Sequence, residues 1–214
     1  MSEHVVLVHG LWMHGALMVW MARRLARAGY VVHRYTYPSV RMNLVENSPR
    51  LAAFCQTLGV RPLHLVGHSL GGLLIACMLN EPHRLDIGRV VFLGAPFVDS
   101  FAARRVCRAR IGSMAVGASV GEWLRGARPG NLARYDIGVI AGDRGVGLGV
   151  MMARDLPAPH DGTISVSETV VPGARDHLVL KVSHSEMVIS MPVVRQVCEF
   201  LRQGRFARDA VVRS

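Results

Sequence analysis

The sequence predicts an α/β fold, with about six mainly parallel strands in one sheet and helices on both faces. Three observations predict it. Short apolar, β-branched runs alternate along the chain with stretches of helical periodicity, which is the pattern of strand–helix–strand units. Half of the 214 residues are hydrophobic and only 19% are charged, enough to bury a substantial core in one domain. No internal repeat and no Pro/Ser-rich linker divides the chain, so residues 1–214 read as a single domain.

The elements follow in order. Val5–Val8 reads as the first strand. Ala16–Ala28 reads as a helix whose buried face is Leu17, Trp20, Met21, Leu25 and Ala28, with Gly29 at its C-terminal stop. Val31–Tyr35 is the second strand, and Pro49–Leu58 a helix with Ser48 as N-cap and Gly59 closing it. Leu63–Val66 is the third strand, running through Gly67 into a helix over Leu70–Leu79. Arg89–Leu93, Ile137–Ala141 and His177–Val182 supply three more strands, and Pro192–Arg202 a final amphipathic helix. The irregular stretch 97–136, with scattered Gly and Arg, is expected to be a short insertion lying over the site. Asp209–Ser214 is expected to fray.

Composition narrows the function classes. The apolar runs are far shorter than the ~18 residues a membrane helix needs. Met1–His4 carries no basic segment, and Val5–Val8 is too short for a signal-peptide core, so a cytoplasmic protein is expected. Cys55, Cys77, Cys107 and Cys198 have no metal-ligand spacing and read as reduced, mostly buried thiols. The net charge of +10 is nearly all arginine, with Lys181 the single lysine. The densest cluster, Arg104, Arg105, Arg108 and Arg110, lacks aromatic interleaving, so a solvated basic face is expected rather than a nucleic-acid interface. An attraction to anionic substrates or lipid surfaces is the other reading of that charge. No metal cluster, phosphate-binding loop or nucleotide fingerprint stands out, so no cofactor is expected; Asp143–Gly149 is glycine-rich but opens no clear helix.

The strongest chemical signal is Gly67-His68-Ser69-Leu70-Gly71-Gly72, directly between a strand and a helix. That is the context of a G-x-S-x-G nucleophile elbow, where a serine sits on a sharp, strained turn with its hydroxyl projecting beyond the sheet. Ser69 is the candidate nucleophile. Its oxyanion would need two backbone donors. Leu70, next after the nucleophile, is one, and Leu11, in the loop His9-Gly10-Leu11-Trp12-Met13 after the first strand, is the other. Trp12, Met13 and His68 are candidate substrate-binding residues.

A serine hydroxyl needs a histidine base, and the histidine an orienting carboxylate. In the order Ser, acid, His, only His160, His177 and His184 follow the fifth strand. His177 opens a strand at the wrong end of the sheet, and His160 precedes the preferred acid. His184, in Val182-Ser183-His184-Ser185, follows an apolar strand and is the candidate base. Asp161, in Asp161-Gly162-Thr163-Ile164, is preferred as the acid because a glycine turn and following donors would hold it. Asp143, directly after the fifth strand, remains the alternative. Asp176, beside His177, reads as a turn cap.

Together these residues resemble the small bacterial lipase and esterase branch of the α/β-hydrolases, including lid-poor minimal lipases. The resemblance spans most of the chain. It rests on Val-Leu-Val-His-Gly at 6–10, Gly-His-Ser-Leu-Gly-Gly at 67–72, Gly-Ala-Pro at 94–96, Asp-Gly-Thr-Ile-Ser-Val at 161–166 and Val-Ser-His-Ser at 182–185. It implies that Asp161 is the acid, that the leading strands of the full fold are missing, and that no large cap lies between Pro96 and Ile137. It also implies a small-molecule ester or lipid substrate. With the same triad, acyl transfer or thioester or amide hydrolysis stays open, as does a non-catalytic module that docks lipid or a partner.

Overall fold

The computed structural model describes residues 2–108, 123, 129–130, 132–146 and 155–208. Six strands form one sheet: β1 His4–Val8, β2 Val31–Tyr35, β3 Leu63–His68, β4 Ile87–Leu93, β5 Asp136–Gly142 and β6 Asp176–Leu180. Every pairing is parallel and the order is β2-β1-β3-β4-β5-β6. The chain steps outward from β1 to β2, then returns to the far side of β1 with β3. That reversal opens a crevice beyond the carboxyl ends of β1 and β3, where open parallel sheets place their sites.

Among the described residues, five α-helices accompany the sheet: α1 Val19–Arg27, α2 Leu44–Thr57, α3 Leu70–Asn80, α4 Phe101–Arg108 and α5 Met191–Gln203. Strand residues alternate between two cores. Val6, Val8, Leu65, Val90, Phe92 and Val139 pack with α2 and α3. Val5, Leu7, Val66, Val91, Leu93 and Ile140 pack on the other face with α1 and α5. Helices therefore cover both faces, and the four inner strands between them are largely buried, while the edge strands β2 and β6 stay partly exposed. Among the described residues, no helix is long and apolar enough to cross a membrane. Cys55 and Cys198 are buried thiols and Cys77 is half-buried, and burial pushes the Cys55 thiol up to about 12.

Two helices differ from the sequence reading. The first begins as a 3-10 turn, Gly15–Met18, before α1 proper. That tighter turn, at about 3.0 residues rather than 3.6, shifts the phase of the face. Met18, Met21 and Leu25 turn to the core, while Leu17 and Trp20 stand 54% and 53% exposed. The second helix starts five residues before Pro49. Asn43 forms a reciprocal capping box with Glu46, bonding Glu46 N at 2.8 Å and receiving Glu46 Oε2 on its own N–H at 2.8 Å. Ser48 is thus a buried helix residue rather than the cap. Pro49 removes one interior N–H without ending the helix. Of the insertion read over 97–136, α4 and Trp123 are described. Residues 109–122, 124–128 and 131 lie outside the described residues, as do Arg110, 147–154 of the glycine-rich stretch and its neighbours, and 209–214.

Candidate active site

β3 delivers the chain to Ser69. All six of its residues are buried, and it is paired on both sides, Val8 opposite Gly67 on β1 and Leu93 opposite His68 on β4. Ser69 takes φ 53, ψ −123, a conformation costly for a side-chain-bearing residue. Its backbone is held on both sides. Its N–H donates to Leu93 O at 2.8 Å, and its carbonyl accepts from Gly72 N at 2.9 Å. A Cβ at Gly71 would meet Val8 O at 2.3 Å, so only glycine lets the start of α3 pass this close to β1. The elbow expected from the motif is present as a turn of this shape.

His184 and Asp161 meet beside it. His184 Nδ1 lies 2.7 Å from Asp161 Oδ2, with Asp161 only 1% exposed. The other carboxylate oxygen accepts from Thr163 N at 2.9 Å and Ile164 N at 2.7 Å. The backbone closes the pair again, His184 N donating to Asp161 O at 2.9 Å. A carboxylate only accepts, so the shared proton belongs to Nδ1 and leaves Nε2 with the lone pair. Gly94, at the end of β4 with φ 55, lies directly beneath; a Cβ there would come 3.1 Å from Asp161 Oδ2 and 3.2 Å from His184 Nδ1. Asp143 instead points outward, exposed, with its N–H bonded to Leu180 O. The two acid candidates of the sequence reading are separated by this geometry. Asp161 touches His184 and Asp143 does not.

The loop after β1 closes the crevice. A Cβ on Gly10 would lie 3.1 Å from Ser69 Cβ, which puts Leu11 next to the elbow. His9 fixes this loop. Its buried ring stacks on Tyr37 at 4.6 Å, with Nδ1 2.8 Å from Gly10 O and Nε2 accepting from Tyr37 N at 3.3 Å. Drawing the Gly10 carbonyl back toward His9 turns the opposite end of that planar peptide, the Leu11 N–H, the other way. Burial holds the His9 pKa below the usual imidazole value, which keeps the ring neutral for this double role. Neither the Leu11 nor the Leu70 N–H donates to another group among the described residues.

Not every residue predicted for the substrate wall lies there. The sequence reading makes His68 substrate-binding, but its ring is 3% exposed and is tied to His184, Nε2–H donating to His184 O at 3.0 Å. The two rings lie 4.7 Å apart, and burial, with the nearby His184, drives the His68 pKa down to about 3. His68 supports the His184 segment. Trp12 is 59% exposed with φ 55, and Met13 is half-buried against the α1 side of the core. Sequence reasoning missed Tyr37 and Glu168. Glu168 accepts from Ser165 N at 2.7 Å and from Phe101 N, tying the Asp161 loop to the start of α4. Its signal was present in Ser165-x-x-Glu168, a capping-box pattern. Burial raises its carboxyl above the usual range.

The sheet order, the elbow and the paired histidine and aspartate define a hydrolase-type α/β architecture. The sequence model of the alpha/beta hydrolase family matches residues 5–199, and the chain belongs to that family. The fold is similar to that of Bacillus licheniformis lipase BlEst2 in its mature form, at 19% identity over 95% of this chain and 92% of that one, TM-score 0.73. It is also similar to an esterase from Exiguobacterium antarcticum, at 13% identity, 94% and 92% coverage and TM-score 0.62. A third similar structure is the Bacillus subtilis carboxylesterase CesB, at 14% identity, 95% and 84% coverage and TM-score 0.57. No curated protein matches the sequence.

Proposed function

We propose that this hydrolase cleaves carboxylic esters through Ser69, His184 and Asp161. The observation that carries the reading is the 2.7 Å contact of His184 Nδ1 with the buried Asp161 carboxylate, beside a serine held at φ 53 on the strand–helix elbow. Asp161 fixes the tautomer, so Nε2 is the nitrogen that takes the Ser69 proton as Oγ attacks the ester carbonyl. The Leu70 and Leu11 N–H groups, both without partners among the described residues, receive the oxyanion. His184 then protonates the departing alkoxide, and water attacks the acyl-enzyme with the same base. The neighbouring esterase and lipase folds support an ester as the substrate class. Ser69→Ala should abolish hydrolysis of p-nitrophenyl esters while the protein melts as a folded domain. Full turnover by that variant would overturn the assignment.

A further inference from the structure

The 3-10 turn that displaces Leu17 and Trp20 from the core leaves an unusual surface. α1 and α5 lie side by side on one face of the sheet, and both begin at the carboxyl-end rim that holds the crevice. Each starts apolar and turns basic. Through the 3-10 turn and α1 the outward residues run Leu17, Trp20, then half-buried Arg24 and exposed Arg27; on α5 they run Met191, then Arg195 and Arg202. Ile189, just ahead of α5, joins the rim at 48% exposure, as does Met191 at 48%. The Arg24 guanidinium donates to Ile189 O and lies 5.9 Å from the Trp20 ring, binding the two helix starts into one patch.

The charge behind the rim is one-sided. α1 carries Arg23, Arg24 and Arg27 and no Asp or Glu, and Glu186, in the turn ahead of Ile189, is paired with Arg144. A cleft of about 1160 Å³ opens below the rim between α1, α5 and the edge strand β6, lined by Arg24, Arg27, Arg195, Arg202 and Arg208 against the single acid Glu199. Neither Arg27 nor Arg195 forms a hydrogen bond or ion pair among the described residues. The helical rise sets the Cα atoms of Arg24, Arg27 and Arg195 about 6–10 Å back from those of Trp20 and Met191, while the Arg24 guanidinium reaches forward to Ile189 O at the rim. Apolar side chains of interfacial helices sink about 5–10 Å into the headgroup–acyl boundary, which leaves arginines set behind them at the level of the phosphates.

We propose that this rim docks on an anionic phospholipid surface, Leu17, Trp20, Ile189 and Met191 at the boundary and Arg24, Arg27 and Arg195 on the phosphates. Docked this way, the crevice beside Ser69 opens toward the lipid. The inference stands apart from the catalytic reading and is tested with Ser69→Ala protein. It should co-sediment with phosphatidylglycerol/phosphatidylcholine vesicles, weaken as salt rises, and partition poorly to pure phosphatidylcholine. Trp123 is 4% exposed, so in a Trp12→Phe background the blue shift on binding reports Trp20. Arg27→Gln and Arg195→Gln should each lower partitioning about fivefold. Leu17→Ser/Trp20→Ser should lower it more than tenfold. These positions are exposed, and melting curves check that each variant folds. Equal partitioning to both vesicles, or an unchanged Trp20 emission, would overturn the proposal. So would concentration-dependent self-association that Leu17→Ser/Trp20→Ser abolishes without any vesicle binding, which would assign the patch to a second copy of the chain.

Discussion

Ser69 and Trp12 share a rare backbone conformation, φ 53 and φ 55, and are the two non-glycine residues with positive φ among the described residues. They flank the same crevice from opposite supports. Ser69 sits between a strand buried along its whole length and a helix whose first seven residues are buried, with both its backbone groups bonded. Trp12 sits in an open turn, 59% exposed, where the nearest backbone bond, Met13 N to Gly10 O, is 3.4 Å long. The sheet and α3 hold the strain at Ser69, and that wall of the crevice is rigid; the wall carrying Trp12 is an exposed loop anchored at its root by His9 and Tyr37.

The largest effect is expected where the rigid wall meets His184. Asp161→Asn should lower kcat for ester hydrolysis by roughly 10⁴-fold, because the amide would present the wrong partner to His184 Nδ1. Asp143→Asn should leave kcat within about twofold, since its exposed side chain does not reach His184. Reversal of that order in steady-state kinetics would transfer the acid role to Asp143.

Next comes His68, which ties the elbow to the His184 segment. Its folded pKa is held near 3, below the 6.5 of a free imidazole. As pH falls through 6.5, the unfolded chain binds a proton that the folded state refuses, so stability is lost progressively on the acid side. At pH 5 this amounts to about 2 kcal/mol relative to pH 7. Denaturant titrations should show that loss in the parent and a correspondingly shallower one in His68→Asn. Parallel curves would show that His68 titrates normally.

The smallest effect addresses the strain itself. Ser69→Gly should melt about 2–4 °C above Ser69→Ala, because glycine adopts φ 53 without penalty and the fixed backbone cannot relax otherwise. Trp12→Gly should shift melting by less than Ser69→Gly does, because a buried strand and helix enforce φ 53 at Ser69 while an exposed loop carries φ 55 at Trp12. Equal shifts would mean that the two walls are equally rigid.

Much of the fold was legible because its signals are local. The elbow glycines, the helix-stop glycines 29 and 59, and the apolar strands each declare themselves within a few residues, and β3, α3 and their order follow. The phase of α1 was not legible, because a 3-10 turn changes the period while leaving the apolar pattern in place. Leu17 and Trp20 look like core residues until Met18 takes their place. The start of α2 was hidden for a different reason: Pro49 outweighed the capping pattern Asn43-x-x-Glu46 that precedes it. At the site, Ser69 and His184 were readable from motif and chain order. The choice between Asp161 and Asp143 was not, since it depends on which loop folds back over the end of β4. Tyr37 and His9 meet across 28 residues, a pairing no local pattern carries.

Ser69 is proposed to be an activated nucleophile beside a histidine oriented by Asp161, and treatment with a fluorophosphonate probe, followed by peptide mass analysis, tests this most directly. A single stoichiometric adduct on Ser69 is expected, slowed by roughly 10⁴-fold in Asp161→Asn and absent in Ser69→Ala. An unlabelled parent protein, or an adduct carried by another residue, would contradict it.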